Sequence, residues 1–323
     1  MKTINIIALF VALSSTVAAQ DWQTVETTNT CTKRHENSLT AVGGKLIVLG
    51  GRGDRPVESF DPRTRKWTRL ADAPMEMHHF QAITYNNEVW VLGAFTGGFP
   101  HETPIPDIYI FNPTKKEWRK GPQIPEDRRR GAAGAFVYKN KIYLVCGIQD
   151  GHWDGHVAWL DEYDPKTDTW KKLPDAPRAR DHVQAVAADD KIYVAGGRTS
   201  TARIGKVLET TLAPVDVYDF KTGKWTTLPE SLDIPTQRAG NATVVLDKKV
   251  IVIGGESGAQ VPAHSEVEAF NTKTGKWETL PPLKQGRHGT GAVVINGKIY
   301  TAAGSGNRGG GPELNDVEVW GRE

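Results

Sequence analysis

An aromatic residue followed seven positions later by tryptophan recurs five times along this chain and sets its period. The pairs are Phe60/Trp67, Phe111/Trp118, Tyr163/Trp170, Tyr218/Trp225 and Phe270/Trp277, and successive tryptophans lie 51, 52, 55 and 52 residues apart. A self-similar unit of this length is typical of propellers and other repeat architectures. Such a chain must bury the hydrophobic face of each unit against the next unit.

Each repeat has the pattern of four short strands. Before each aromatic pair an apolar segment ends in two small residues: Gly50-Gly51, Gly93-Ala94, Cys146-Gly147, Gly196-Gly197, Gly254-Gly255 and, in a sixth repeat, Ala303-Gly304. Turn-forming residues separate the segments, for example at Asp61-Pro62 and Asn296-Gly297, and they favour tight antiparallel hairpins. The pattern predicts an all-β propeller with four-stranded blades.

The two ends of the chain predict how the ring of blades closes. The sixth repeat ends after its third strand, near Trp320, and no fourth strand follows. The segment 22–25 matches the fourth strands of other repeats, such as the segment 67–70. We therefore expect six blades, with the N-terminal strand completing the last blade so that no sheet edge stays open.

These features resemble the kelch-repeat propellers, which share the small pair, the spaced aromatic and tryptophan, and the period. The resemblance covers residues 20–323, and Ala94, Cys146 and Ala303 depart from it only by exchanging one small residue for another. It implies the fold, whereas function has to be argued from a site, since one fold hosts many functions. The architecture is also similar to the exported six-bladed kelch mutarotases of sialic acid, although only the kelch frame aligns with them.

The N-terminal segment predicts export. Residues 1–19 have the pattern of a secretory signal peptide, with Lys2, an apolar run too short to span a bilayer, and Val17-Ala18-Ala19 before a cleavage site. We expect residues 20–323 to form one monomeric propeller, secreted or periplasmic and without a transmembrane segment. The 40 basic and 38 acidic residues give a net charge of +2, which predicts no general attraction to nucleic acid.

All nine histidines fall at two kinds of position in the repeat. His35, His78, His79, His182 and His288 precede or begin a first strand, and His101, His152, His156 and His264 follow a second strand. In a blade of alternating strands, these two positions share one face of the disc. That face is therefore the candidate working surface, because binding residues concentrate in loops on a rigid scaffold.

Arginines accompany the histidines on this face. Five repeats carry an arginine at the start of the first strand, and the second repeat has His78 and His79 there instead; the five are Arg34, Arg130, Arg180, Arg238 and Arg287. A guanidinium binds a carboxylate or phosphate through two hydrogen bonds at once. We interpret the set as a ring that binds an anionic ligand, acidic sugars fitting best. The alternative is that these arginines pack loops or bind a protein partner.

Two long loops add candidate ligand-binding groups. In the third repeat, His152, Asp154 and His156 alternate imidazole and carboxylate side chains. This alternation suits a divalent metal ion as a cofactor, and the alternative is that the loop is simply solvated. Trp153 offers an apolar plane for a sugar or, equally, an anchor for its own loop. Arg308, in the glycine-rich loop of the sixth repeat, is expected to point towards the mouth of the channel.

Acid–base chemistry is indicated by histidines that stand beside arginines. A neighbouring arginine disfavours the charged form of His35, His182 and His288, so each is a candidate proton acceptor near neutral pH. Glu36 and Asp181, in the same segments, complete the candidate catalytic set.

Two classes of function stay open. One is an isomerase of the mutarotase kind, or a lyase, that acts on an acidic carbohydrate. The other is a non-catalytic propeller that binds a glycan or a protein. A copper oxidase of the galactose oxidase type is disfavoured, because that chemistry needs tyrosines at the metal and all eight tyrosines fall on predicted strands.

Overall fold

The structure, a computed structural model, describes residues 21–321, so the predicted signal peptide lies outside the described residues. It contains six four-stranded antiparallel sheets and two short two-stranded sheets. The first strands of neighbouring sheets contact one another all the way round, and the last contacts the first. The fold is the predicted six-bladed propeller, with the first strand of each blade lining the central channel.

In blades one to five the strands follow one another in chain order from the channel outwards, and in blade six the outermost strand comes from the N-terminus. In blades one to three they are Asn37–Val42, Lys45–Gly50, Val57–Asp61 and Lys66–Ala71; Ile83–Tyr85, Glu88–Val91, Asp107–Asn112 and Glu117–Gln123; and Gly134–Tyr138, Lys141–Val145, Leu160–Asp164 and Thr169–Leu173. In blades four to six they are Ala185–Ala188, Lys191–Val194, Asp216–Asp219 and Lys224–Thr227; Ala242–Leu246, Lys249–Ile253, Val267–Asn271 and Lys276–Leu280; and Ala292–Ile295, Lys298–Ala302, Val317–Trp320 and Gln23–Thr24.

The N-terminal strand closes the ring as predicted. Gln23–Thr24 pairs antiparallel with Val317–Trp320, so the sixth blade takes its outer strand from the other end of the chain. Trp22 precedes this strand and is fully buried between blades five and six. The closing strand is therefore held by a large apolar side chain as well as by backbone hydrogen bonds.

Six hydrophobic clusters, each between two neighbouring blades, form most of the core, and a small seventh cluster consists of Phe95, Ala132 and Ile148. The recurring aromatic and tryptophan face each other across the third and fourth strands, as Phe60 and Trp67 do with ring centroids 5.2 Å apart. Burying a side chain such as Phe60 stabilises the fold by about 2 kcal/mol. The sequence period thus reflects an aromatic pair that recurs once per blade and packs between neighbouring blades.

The two faces of the disc differ in their connections. We call the face with the links after the second and fourth strands the loop face, and the face with the links after the first and third strands the turn face. The loop face carries all the additional short elements: the hairpins Phe95–Thr96/Thr103–Pro104 and Ile148–Asp150/Asp154–His156 and the 3-10 helices Glu126–Arg128, Ala202–Ile204 and Glu230–Leu232. Among residues 21–321, no helix has the length and apolar character needed to cross a membrane.

A closed ring of backbone hydrogen bonds surrounds the channel on the loop face. Each blade contributes one residue in the left-handed conformation: Glu36, His79, Ala132, His182, Gly240 and Gly289. From His79 to Gly289, the amide of each donates to the carbonyl of its counterpart in the preceding blade at 2.8–3.0 Å, and the amide of Asn37, next to Glu36, closes the ring on the carbonyl of Gly289. We call this feature the backbone ring.

Two glutamine side chains cross the channel just inside the backbone ring. Oε1 of Gln81 accepts the amides of Ala135 and Ala185, both at 2.9 Å, which joins blades two, three and four. Oε1 of Gln184 accepts the amide of Thr243 at 2.9 Å, and its Nε2 donates to the carbonyl of Thr290 at 3.2 Å. These bonds link blades four, five and six below the ring.

Candidate functional site

The five arginines expected to form an anion-binding ring lie inside the blades. Their exposed fractions are between 0 and 2%. Each forms an ion pair with a carboxylate on the third strand of its own blade: Arg34 with Glu58, Arg130 with Asp161, Arg180 with Asp216, Arg238 with Glu268 and Arg287 with Glu318. The predicted ring of ligand-binding arginines is therefore wrong, because their charge is neutralised and enclosed by protein.

Arg238 illustrates what these arginines do. Its guanidinium donates to the carbonyls of Thr236 at 2.6 Å and Val252 at 3.2 Å, and to the carboxylate of Glu268 at 2.6 Å. The side chain thus ties the segment before the first strand to the second and third strands. This geometry agrees with the alternative given above, in which these arginines pack loops.

A cleft with a volume of about 460 Å³ lies on the loop face, over the backbone ring. All six blades contribute to it. Its charged and titratable lining comprises His35, Glu36, Arg52, His79, His152, Arg198 and Glu256. Phe99, Val207 and Leu208 form the apolar part of its lining, and a smaller cavity of about 40 Å³ reaches Glu36, His79 and His182 at the mouth of the channel.

Three buried histidines from three different blades meet between the cleft and the channel. One ring nitrogen of each of His79, His152 and His182 lies within 4.8 Å of the others, and the ring centroids are 4.6–5.2 Å apart. His152, which the sequence predicted as a metal ligand together with Asp154 and His156, thus meets histidines from other blades instead. We call these three residues the histidine cluster.

The other predicted metal ligands are placed elsewhere. Asp154 forms an ion pair with Arg203 at 2.9 Å, and both side chains are half exposed. Nε2 of His156 donates to the carbonyl of Ser200 at 2.6 Å. The same nitrogen of His156 lies 3.3 Å from Asp181. Neither Asp154 nor His156 belongs to the group of potential metal ligands that includes His152, so the predicted set of His152, Asp154 and His156 is wrong.

Each member of the histidine cluster is held by a second polar group. Nδ1 of His152 donates to Glu102 at 2.9 Å, and Nδ1 of His182 donates to Asp181. Nδ1 of His79 lies 2.6 Å from Nδ1 of His78. His78 and Asp181, which were predicted as ligand-binding and catalytic residues, are therefore buried groups that orient the cluster.

Glu36 connects the histidine cluster to a second pair of charges. Its carboxylate lies 3.2 Å from Nε2 of His79 and 3.7 Å from Nδ1 of His288. His288 donates from Nε2 to the carbonyl of Asn307 at 2.8 Å and lies 3.5 Å from Glu256. The candidate acid–base residues Glu36, Asp181, His182 and His288 are thus brought together as one network.

Three further predicted residues lie at the edge of this network or beyond it. His35 lines the cleft, and its Nδ1 donates to Glu313 at 2.7 Å. Trp153 packs on the ring of His101 at 4.6 Å and does not line the cleft. Arg308 donates to the carbonyl of Gly258 at 2.8 Å, so it anchors its loop and does not point at the channel mouth as expected.

Burial and neighbouring charges set the proton affinities in the network. Burial lowers the pKa of His182 to about 4, and burial together with the neighbouring histidines lowers the pKa of His79 well below its usual range. Burial opposes ionisation of Glu36 and Glu256, but their charged neighbours, His288 first, together outweigh it and lower both pKa values, that of Glu256 to about 2. The imidazoles of His79 and His182 are therefore neutral near pH 7, while the carboxylates of Glu36 and Glu256 are ionised.

Three charged residues of the cleft are not among the predicted site residues. Arg52, Arg198 and Glu256 all come directly after the small pair of their repeat. Arg198 is 2% exposed and bonds to Glu256 at 2.5 Å, whereas Arg52 is about a quarter exposed and bonds to Glu102 at 2.5 Å. Their shared position is a signal that could have revealed them. Glu102 has no such signal, because it comes from a long loop.

Six four-stranded blades, the small pairs and the cross-strand tryptophans define a kelch-repeat propeller. Residues 8–262 match the family described as the Attractin/LZTR1 beta-propeller, and residues 286–320 match the Kelch motif. The chain belongs to the Attractin/LZTR1 beta-propeller family, because that match covers most of its length.

Curated relatives share the propeller but are longer proteins. The chain is 25% identical to the Kelch-like protein terF of Aspergillus terreus, across 84% of this chain and 61% of that protein. It is 24% identical to the human Kelch-like protein 38, across 80% of this chain and 42% of the other. The chain thus spans about two fifths to three fifths of these relatives. A solved structure of YjhT superimposes with a TM-score of 0.74 over 90% of this chain and 95% of that one, at 16% identity, which supports the fold alone.

Proposed function

We propose that this protein binds a small hydroxylated ligand, an acidic saccharide, in the cleft on the loop face and exchanges protons with it in a mutarotase-like reaction. One observation carries the proposal: titratable side chains from blades one to five converge on one cleft, and most of them are buried. Buried charges are costly and add little net stability. Their convergence in a concave site is typical of a binding or catalytic centre.

Arg52 is the residue that supports an acidic ligand. Its guanidinium lines the cleft and is about a quarter exposed while bound to Glu102, so it has N–H groups left to bind a carboxylate. Arg198, in contrast, is enclosed and bound to Glu256. The preference for an anion therefore rests on one accessible arginine and not on the five inside the blades.

Glu36 and His35 support proton exchange. Opening a saccharide ring requires a base that takes the proton of the anomeric hydroxyl and an acid that donates a proton to the ring oxygen. Glu36 is held ionised by its surroundings, and His35 lines the same cleft while its Nδ1 binds Glu313. We assign Glu36 as the base and His35 as the acid.

An apolar wall supports a saccharide over a purely polar ligand. Phe99 is 60% exposed and lines the cleft with Val207 and Leu208. An exposed aromatic ring offers a plane on which the C–H face of a sugar packs. We also propose that the protein is exported, secreted or periplasmic, on the strength of the signal-peptide pattern in residues 1–19.

Saturation-transfer NMR with N-acetylneuraminic and glucuronic acids tests the proposal, together with measurement of anomeric exchange. We expect saturation transfer with the wild type, at least tenfold weaker binding in Arg52→Ala, and binding without accelerated exchange in Glu36→Gln. His101→Asn, an exposed residue of the same face, is the matched control. Equal binding by the wild type and Arg52→Ala would contradict the proposal that the ligand is acidic. Normal exchange in Glu36→Gln would contradict the assignment of Glu36 as the base.

A protein partner is the second candidate. The large hydrophobic residues that are strongly exposed in the described chain, Phe99, Ile204 and Val261, all lie in loops of the loop face. Exposed apolar side chains concentrated on one face are typical of an interaction surface. Absence of saturation transfer across the saccharide panel would make this candidate the leading one.

A further inference from the structure

We propose that His79, His152 and His182 bind one divalent transition-metal ion, with Zn²⁺ the best match, and leave its remaining coordination positions open to the cleft. This inference does not depend on the proposed saccharide, because it rests on the histidine cluster alone. The three imidazoles come from blades two, three and four and are all buried.

The hydrogen bonds of His152 and His182 leave the appropriate nitrogen free. Both donate from Nδ1 to a carboxylate, to Glu102 and to Asp181 respectively. The Nε2 lone pair of each is then available to a metal ion, which is the arrangement of the carboxylate–histidine–metal triads. Nε2 of His182 is buried and has no hydrogen-bond partner among the described residues, which a structural histidine in a packed core would normally have.

His79 is oriented by a different partner. Nε2 of His78 lies 2.9 Å from the carbonyl of Gly97, and its Nδ1 lies 2.6 Å from Nδ1 of His79. Nε2 of His79 lies 3.2 Å from the carboxylate of Glu36, and a metal ion bound to this nitrogen would balance the charge of that carboxylate.

The groups behind the cluster are themselves fixed. Glu102 also accepts the amide of His152 at 3.1 Å and the guanidinium of Arg52 at 2.5 Å. Asp181 also accepts the amide of Ser200 at 2.8 Å and its hydroxyl at 2.7 Å. Such outer groups hold the ring orientations that a metal requires.

The donor set selects the kind of metal. Three imidazoles suit Zn²⁺ and its neighbours in the first transition row, whereas Ca²⁺ and Mg²⁺ require mostly oxygen ligands. Zn–N distances of about 2.05 Å place ligand nitrogens roughly 3.3 Å apart, so the ring nitrogens, which lie within 4.8 Å of one another, would approach by at most about 1.5 Å on binding. Three protein ligands leave a fourth position for water or substrate, and the carboxylate of Glu36 lies 3.2 Å from one ligand residue, His79.

Cobalt titration of the chelator-washed full chain tests the site. Co²⁺ reports a low-coordinate imidazole site by intense visible absorption, and mass spectrometry after Zn²⁺ loading gives the stoichiometry. We expect one equivalent in the wild type and an affinity at least about 100-fold lower in His152→Asn and His182→Asn, since a lost ligand should cost no less than a lost outer group. His264→Asn is the matched control, because His264 is equally buried but bonds to Ser257 and Glu266 outside the cluster.

A second variant separates metal binding from a folding defect. Glu102→Gln keeps the shape of the side chain and all three ligands, and we expect it to lower Co²⁺ affinity by about 10- to 100-fold. Full Co²⁺ absorption in folded His182→Asn, or no Co²⁺ and no Zn²⁺ bound by the wild type, would overturn the inference. Saccharide binding is measured separately on metal-free and loaded protein, so failure of one proposal does not decide the other.

Discussion

The loop face and the turn face are built from the same blades but differ in how deeply their charges are buried. On the turn face, the ion pair Lys248–Asp189 spans 3.9 Å and both side chains are about half exposed. On the loop face, the pair Arg198–Glu256 is short and enclosed. Exposed pairs contribute little to stability, whereas breaking a buried pair leaves an uncompensated charge. The comparison predicts that removal of a single charge costs most on the loop face, where the candidate cleft also lies.

The largest expected difference between the faces concerns an arginine inside a blade. Arg238→Ala leaves Glu268 buried without its cation, and we expect a loss of about 3–5 kcal/mol in the free energy of unfolding. Arg63→Ala, on the turn face, removes an arginine whose side chain is 84% exposed and should cost less than about 0.5 kcal/mol. Urea unfolding measures both. A stable Arg238→Ala variant that no longer binds saccharide would instead support the hypothesis that these arginines bind the ligand.

Two glycines in similar conformations sharpen the comparison. Gly254 on the loop face and Gly275 on the turn face have φ values of 61° and 65°. A Cβ at Gly254 would collide with the carbonyl of Arg287, whereas a Cβ at Gly275 meets nothing within 4 Å. We expect Gly275→Ala to cost about 1 kcal/mol from backbone strain alone and Gly254→Ala about 3 kcal/mol. Equal losses would show that strain, and not crowding, limits both positions.

The response to acid should also come from the loop face. The folded pKa of Glu256, about 2, lies below the ordinary value of 4.5. Its contribution to stability is therefore complete above about pH 4.5 and is lost as the pH falls towards 2. Glu256→Gln should lower stability at pH 7 and flatten the decline of Tm between these values, whereas the exposed Glu117→Gln should leave the profile unchanged. An unflattened Glu256→Gln profile would contradict this assignment.

The smallest expected effect belongs to a turn-face ion pair. Nζ of Lys249 lies 2.5 Å from Glu278, and both side chains are about a third exposed. Lys249→Ala should cost about 0.5 kcal/mol at low salt, and the loss should vanish near 1 M NaCl because of screening. A loss above about 2 kcal/mol would mean that the two faces do not differ in the way described.

Most of the fold could be predicted because it depends on local signals. The spacing of Phe60 and Trp67 is the length of a hairpin, and the structure pairs these residues directly. The missing last strand and the match at Trp22 predicted the closure of the ring. Both arguments need only periodicity and the requirement that a blade has four strands.

The incorrect prediction of a ligand-binding arginine ring could have been avoided by comparing two positions of the repeat. Every repeat with an arginine at the start of its first strand also has a carboxylate two residues before the third-strand aromatic, whereas the second repeat has Met77 and Tyr109 at these positions. This matched occurrence predicts an internal ion pair in each blade. The arginines at the start of the first strands, taken without these carboxylates, suggest a ligand-binding ring instead.

The histidine cluster could not have been predicted in detail. His79, His152 and His182 are far apart in the sequence and come together only because loops of three blades converge over the channel. The sequence placed all three on one face, but which histidines of that face meet depends on how each loop folds. His156, four residues from His152, illustrates this, since it donates to the carbonyl of Ser200 instead.

The backbone ring has a consequence for how anything reaches this centre. Its six links tie every blade to both neighbours, so the aperture cannot dilate unless several hydrogen bonds break together. Behind it, Gln81 and Gln184 add a second layer of hydrogen bonds between blades. The blades are therefore held at fixed distances, while the cleft is bordered by loops. The residence time of a ligand in the cleft should then depend on those loops, Phe99 and Gly310 among them, and not on any motion of the blades.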